Sequence, residues 1–96
     1  MYNISRHFEW DEAKRDSNQV SRGFDFGNAA DFDWDSAYIY EDLRKDYGET
    51  RYTAVGYYMN RLTILVFTPR AGATRIISWR KANPREITRY GKKVDR

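Results

Sequence analysis

At 96 residues the chain can hold one domain with one modest core, expected to span residues 1–96, and is too short for a two-domain enzyme with a separate cofactor module. The absence of cysteine excludes disulfides and thiolate metal sites, and an aromatic content of 17% excludes a disordered chain. The net charge of +3 hides a polarity: residues 1–49 carry 12 of the 14 acids and 6 basic residues, a net of −6, whereas residues 50–96 carry 2 acids and 11 basic residues, a net of +9. A basic surface formed by the later strands and last helix suits a polyanion, and the excess of arginine (twelve) over lysine (five) favours one bearing phosphates. The competing reading is internal pairing of the two halves. With no signal peptide, membrane-length apolar run, repeat or low-complexity tract, the expected location is the cytoplasm, away from membranes.

Residues 1–7 read as a flexible end, and His7, the single histidine, as structural or incidental. Phe8-Glu9-Trp10 alternates and could add a strand. Asp11 caps a first helix in which Trp10, Ala13, Ser17, Val20 and Phe24 recur at helical spacing, Gly23 supplies the stop, and Lys14, Arg15 and Asn18 lie elsewhere on the surface. A shorter second helix is expected over Phe26–Phe32, burying Phe26, Ala29 and Ala30 in a helical hairpin with the first. Asp31-Phe32-Asp33-Trp34-Asp35 lacks the glycine and distal glutamate of a calcium loop, and reads as a solvated connection with buried aromatic rings.

Strands are expected over Ser36–Leu43, Thr50–Tyr58 and Arg61–Thr68, with a charged connection over Asp42–Glu49 and a tight hairpin at Met59-Asn60. Pro69-Arg70-Ala71-Gly72 reads as a turn into a last strand over Arg75–Asn83 (RIISWRKAN). Alternation there puts Ile77 and Trp79 on the face of Arg75 and Lys81, and Ile76 and Ser78 on that of Arg80 and Ala82. Asn83-Pro84-Arg85-Glu86 has a cap residue, a proline at the first helical position and a glutamate three residues on, so a helix is expected from Pro84 to about Lys93, with Ile87, Tyr90 and Val94 on one side. Arg80 and Lys81 would then sit beside a helix N-terminus whose free amides attract anions, a phosphate site. The architecture expected is α+β: two N-terminal helices over an antiparallel sheet of four or five strands, and a C-terminal helix.

FEWDEAKR (Phe8–Arg15) with Asn18 and Gly23, Asp42-x-Arg44-x-x-Tyr47-Gly48-Glu49-x-Arg51 with Gly56, and RIISWRKAN followed by Arg85-Glu86 and Tyr90 together resemble the BrnT family of type II toxin-antitoxin toxins. The resemblance runs in order from about Phe8 to Tyr90. It implies a fold similar to the RelE-like ribonuclease toxins and metal-independent RNA cleavage that arrests translation, with no cofactor. It also implies neutralisation by a BrnA-type antitoxin, whose DNA-binding domain would let the complex repress its own operon, so that operator DNA is met only through the antitoxin. Two departures stand out: Ser21-Arg22 precede Gly23 where members usually show Lys-His, and Trp79 occupies a place where a small residue is usual, which bears on access to Arg80.

RNA cleavage without a metal needs a base for the 2′-hydroxyl, stabilisation of charge on the phosphate and an acid for the leaving oxygen. One histidine excludes a two-histidine pair within the chain. The candidates are Glu49 as base, Arg80 and Arg51 as phosphate clamps, Lys81 as second cation or proton donor, and Tyr90 as stacking platform or acid, with Arg44, Lys45, Arg75 and Arg85 on the RNA backbone. Each also has an ordinary structural role open to it: a Glu49–Arg51 surface pair, a core Tyr90, an Arg80 satisfied by carbonyls. Two other functions compete with a nuclease: a non-catalytic nucleic-acid-binding module and a protein-interaction domain.

Overall fold

The structure, a computed structural model, describes residues 4–94. Its elements are β1 (Phe8–Trp10), α1 (Glu12–Arg22), a 3-10 helix (Phe26–Asp31), β2 (Tyr38–Glu41), β3 (Tyr52–Tyr58), β4 (Arg61–Arg70), β5 (Ala73–Lys81) and α2 (Pro84–Tyr90). The sheet has five strands in the order β1-β5-β4-β3-β2. Four form the expected antiparallel meander, but β1 runs parallel to β5, with Glu9 opposite Arg75, so the sheet is mixed. Alternation cannot orient so short a strand, because parallel and antiparallel neighbours demand the same pattern.

Both tight turns take their shape from residues with positive φ. Met59 and Asn60 (φ 50° and 62°) close β3 onto β4, and Ala71 and Gly72 (φ 51° and 81°) close β4 onto β5. The second turn is thus two residues long, and Pro69 lies inside β4. Proline is tolerated there because the β3 ladder ends at Tyr52 opposite Phe67, leaving position 69 on an edge.

A register skip opposite Val66/Phe67 leaves Ile77 unpaired in β5. That extra residue reverses the alternation, so Ile76 and Trp79 enter one core together, contrary to the pairing of Ile77 with Trp79 that strict alternation predicts. Ile39, Ala54, Leu65 and Trp79 lie in register across four strands on the side of α1 and the 3-10 helix. Phe24, Phe26, Phe32 and Trp34 close this larger core. On the opposite face Val55, Leu62, Ile64, Ala82 and Val94 form a smaller cluster with Tyr38, Tyr40, Tyr57 and Tyr90, beneath α2.

The N-terminal elements differ from the periodic reading. Asp11 and Gly23 cap α1 as expected, but Val20 is 90% exposed and the residue buried from α1 is Asn18. Asn18 donates to the carbonyls of Phe24 and Trp79 at 2.9 and 2.8 Å and accepts from the Trp79 amide at 3.1 Å. β1 stops at Trp10 opposite Ile76, so the β5 edge beyond it needs other partners, and one side-chain amide supplies a donor and an acceptor. The second helix is a 3-10 segment ending at Asp31, with Ala30 exposed. Phe32 and Trp34 are buried in the acidic connection, as expected. β2 is shorter than Ser36–Leu43, and α2 stops at Tyr90, after which a turn carries Val94 into the smaller cluster. Of the end expected to be flexible, residues 1–3 lie outside the described residues; in 4–7, Ile4 packs on the larger core and Thr74 donates to the Ser5 and His7 carbonyls.

Candidate functional site

The row Tyr38, Val55, Ile64 and Arg80 and the row Tyr40, Thr53, Val66 and Ser78 share the α2 face of the sheet. Between these rows, the connection after β2 and one side of α2 lies an open cleft of about 660 Å³. Arg44, Arg80 and Arg89 line it beside Tyr40, Asp42, Glu86 and Tyr90. Glu86, Arg89 and Tyr90 are three and four apart, so α2 turns one stripe to the cleft.

Arg80 is held fork to fork by Glu86, with both N–H···O distances 2.8 Å, and a third of its side chain stays exposed. The pair raises the Arg80 pKa and lowers that of Glu86, against the opposing effect of burial on each. Glu86 also accepts from the Asn83 amide at 2.9 Å while Asn83 accepts from the Glu86 amide at 2.8 Å, completing the capping box expected from sequence. This overturns the picture of free amides at a phosphate site: Pro84 has none, and the Glu86 and Ile87 amides are bonded to Asn83.

Arg44 donates twice to Asp42, at 2.9 Å each, and Tyr47 adds a hydroxyl at 3.1 Å. Asp42 is buried, and Arg44 foremost holds its carboxyl far below the usual range. The Arg44 side chain itself is 79% exposed, so its guanidinium, though held by Asp42, still faces solvent. Tyr40 and Tyr90 stack at 5.6 Å between centroids and Tyr38 joins Tyr90 at 5.9 Å. Burial, followed by the adjoining Tyr90 phenol, pushes Tyr40 up to about 12, so its proton stays in place at neutral pH.

The sequence candidates divide by position. Arg80, Arg44 and Tyr90 meet at the cleft. Lys81 lies on the other side of α2, lining a second groove that shares Arg80 with the cleft. Glu49 pairs with Arg51 at 3.2 Å, and the Arg51 guanidinium lies 4.1 Å over the Tyr47 ring, with Lys45 at 5.1 Å over the same ring. These three support the connection that carries Asp42 and do not line the cleft. Arg75 is tied to Glu9 at 2.9 Å between β5 and β1, and Arg85 is exposed on α2. Trp79 is fully buried among aromatic rings on the opposite face, so it does not stand in the way of Arg80. Sequence reasoning missed Tyr40, Arg89 and the cleft-facing role of Glu86. The alternation of Tyr38 with Tyr40 was a signal for one shared face, but not for what that face would meet. Among the described residues no group of three or more His, Cys, Asp or Glu side chains is placed to hold a metal ion.

Fold and cleft define a small α+β domain built around an arginine- and tyrosine-lined depression. Residues 10–86 match the family model described as the ribonuclease toxin, BrnT, of type II toxin-antitoxin systems, and the chain belongs to that family. Among solved structures it is similar to the crystal structure of the Brucella abortus ribonuclease toxin BrnT, with a TM-score of 0.65 and 27% sequence identity over 84% of this chain and 99% of that one. No curated protein matches. No described helix is long and apolar enough to cross a membrane.

Proposed function

We propose that the cleft beneath α2 cleaves RNA without a metal, in the cytoplasm, and that the resulting arrest of translation is relieved by a BrnA-type antitoxin, with which the toxin represses its own operon. The comparison with RelE-like ribonucleases stated from sequence belongs to the same reading. The observation that carries it is the convergence of Arg80 and Arg44 with a high-pKa Tyr40 in one open depression.

Phosphate oxygens take the guanidinium forks of Arg80 and Arg44, and Arg89 adds positive charge at the rim. As Arg80 turns to the phosphate it releases Glu86, whose carboxylate takes the proton of the 2′-hydroxyl. The 2′-oxygen then bonds to phosphorus and the bond to the 5′-oxygen breaks, with charge on the phosphoryl oxygens stabilised by the arginines. Tyr40 protonates the departing 5′-oxygen, leaving a 2′,3′-cyclic phosphate and a 5′-hydroxyl. Tyr90, which lines the cleft, presents its ring edge to a base. Arg51, Glu49 and Lys45 act through the Tyr47–Asp42 support of Arg44, and Arg75, Arg85 and Lys81 contribute to the general positive field.

Labelled RNA incubated with the protein in EDTA tests this. Fragments ending in cyclic phosphate are expected, with the rate falling by about 10²-fold or more in Arg80→Ala and in Tyr40→Phe, both folded by circular dichroism. Binding without fragments would instead make the protein a nucleic-acid-binding module. Fragments lost only on chelation would make it a metal enzyme, and full activity in Arg80→Ala would remove Arg80 from the chemistry.

A further inference from the structure

α2 separates two concavities. Glu86, Arg89 and Tyr90 face the cleft, whereas Pro84 and Ile87 face a groove at the end of the sheet, between α2 and the C-terminal end of α1. The groove consists of two adjoining depressions of about 830 and 450 Å³ that share Arg22, Phe24 and Arg61. Its floor is apolar, made by Phe24, Leu62, Ala82, Pro84 and Ile87, and its rim carries Arg22, Arg61 and Lys81 together with Arg80, which the groove shares with the cleft. Among the described residues no acid lines either depression.

Of the four rim cations only Arg80 is held by an acid among the described residues. Ion pairs among the described residues engage Arg6, Arg15, Arg44, Arg51, Arg75 and Arg80, and none engages Arg22, Arg61 or Lys81. The same place holds two of the four large hydrophobic side chains most exposed to solvent, Met59 at 81% and Ile87 at 50%. Unpaired Arg22, Arg61 and Lys81 beside the exposed side chains of Met59 and Ile87 are complementary to a segment with aliphatic side chains along one stripe and carboxylates flanking it.

We infer that this groove is the docking surface for an acidic amphipathic segment of the antitoxin, an inference that rests on the chain's membership of a toxin-antitoxin family. A protein segment fits better than RNA. The floor is mostly aliphatic, and its two rings are engaged with the core: Phe24 is stacked on Trp79 at 5.4 Å, and Tyr58 packs edgewise on Phe24 at 6.0 Å and on Trp79 at 4.7 Å. Occupation of the groove seats the partner against Asn83 and Pro84, the start of the helix whose Glu86 holds Arg80, and against Arg80 itself, which the groove shares with the cleft.

Titration calorimetry of the full chain with its antitoxin, at two salt concentrations, reads the groove directly. The double variant Arg22→Glu/Arg61→Glu is expected to lower affinity at least tenfold and to flatten its salt dependence, and Ile87→Asp to lower it independently through the floor. RNA cleavage by free Arg22→Glu/Arg61→Glu is expected to stay within twofold of the parent, with unchanged circular dichroism. Unchanged antitoxin affinity in both variants overturns the assignment. So does a loss of affinity for a single-stranded RNA 12-mer in the double variant with antitoxin binding intact, which would make the groove a nucleic-acid surface. If the parent protein cuts no RNA, the ribonuclease reading of the cleft fails by itself, and the calorimetry still decides the groove.

Discussion

Arg80 and Glu86 share two hydrogen bonds of 2.8 Å, and the same Glu86 carboxylate closes the N-terminal cap of α2 on Asn83. One acid therefore fixes both the cleft's central cation and the helix that roofs it. Glu86→Gln retains an acceptor for the Asn83 amide but loses the ionic fork, and is expected to cost about 1.5–3 kcal/mol in urea unfolding, the range for hydrogen bonds to charged groups. The double variant Arg80→Ala/Glu86→Gln should cost less than the sum of the two single changes, because each single change strands a partner. Strict additivity would show that the pair is not coupled in solution.

Acid should weaken the fold through a small set of carboxylates. Asp25, Asp42 and Glu86 all have pKa values below their ordinary 3.8, 3.8 and 4.5, held there chiefly by Arg15, Arg44 and Arg80 respectively. The unfolded chain binds protons at these positions first as pH falls, so their stabilisation is complete above the ordinary values and is lost as pH drops through the depressed ones. Urea midpoints should be flat near neutrality and fall below about pH 4.5. Asp42→Asn should be less stable at pH 7 and lose less on acidification; a curve parallel to the parent's would sink the assignment.

Asn18 is the polar contact that joins α1 to β5, and it has no apolar substitute. Asn18→Leu is close in size but leaves the Trp79 amide and two carbonyls without partners, a loss of roughly 2–4 kcal/mol by denaturant titration. Val20→Ala, on the exposed side of the same helix, should change stability by no more than about 0.5 kcal/mol. Equal effects from the two would mean that α1 is rotated from the orientation described.

Gly56 sits where β3 passes under the 3-10 segment's exit. A Cβ there would lie 2.5 Å from the Phe32 ring and 3.1 Å from the Ala37 side chain, both packed in the interior. Gly56→Ala is expected to destabilise by about 1–3 kcal/mol through overpacking, and Phe32→Leu in the same chain to recover part of it. Thermal melts of the parent and the two variants decide this; a neutral Gly56→Ala would place the ring elsewhere.

Much of the local structure was legible in the residues themselves. Asp11 and Gly23 marked the ends of α1, Asn83, Pro84 and Glu86 wrote the capping box of α2, and Met59-Asn60 placed the hairpin, because each signal joins residues a few positions apart and needs no partner from elsewhere. The family, too, was visible in the ordered combination of motifs along the chain. Tertiary structure decided the rest. The unpaired Ile77 moved Trp79 and Ile76 to one face, the parallel seat of β1 left an edge for Asn18 to complete, and the packing of α2 on β2 turned Tyr40, Glu86 and Arg89 into neighbours of Arg80. Those outcomes depend on strand order and register, which are set by contacts between residues tens of positions apart, and a reading of periodicity along one strand carries no information about its partner.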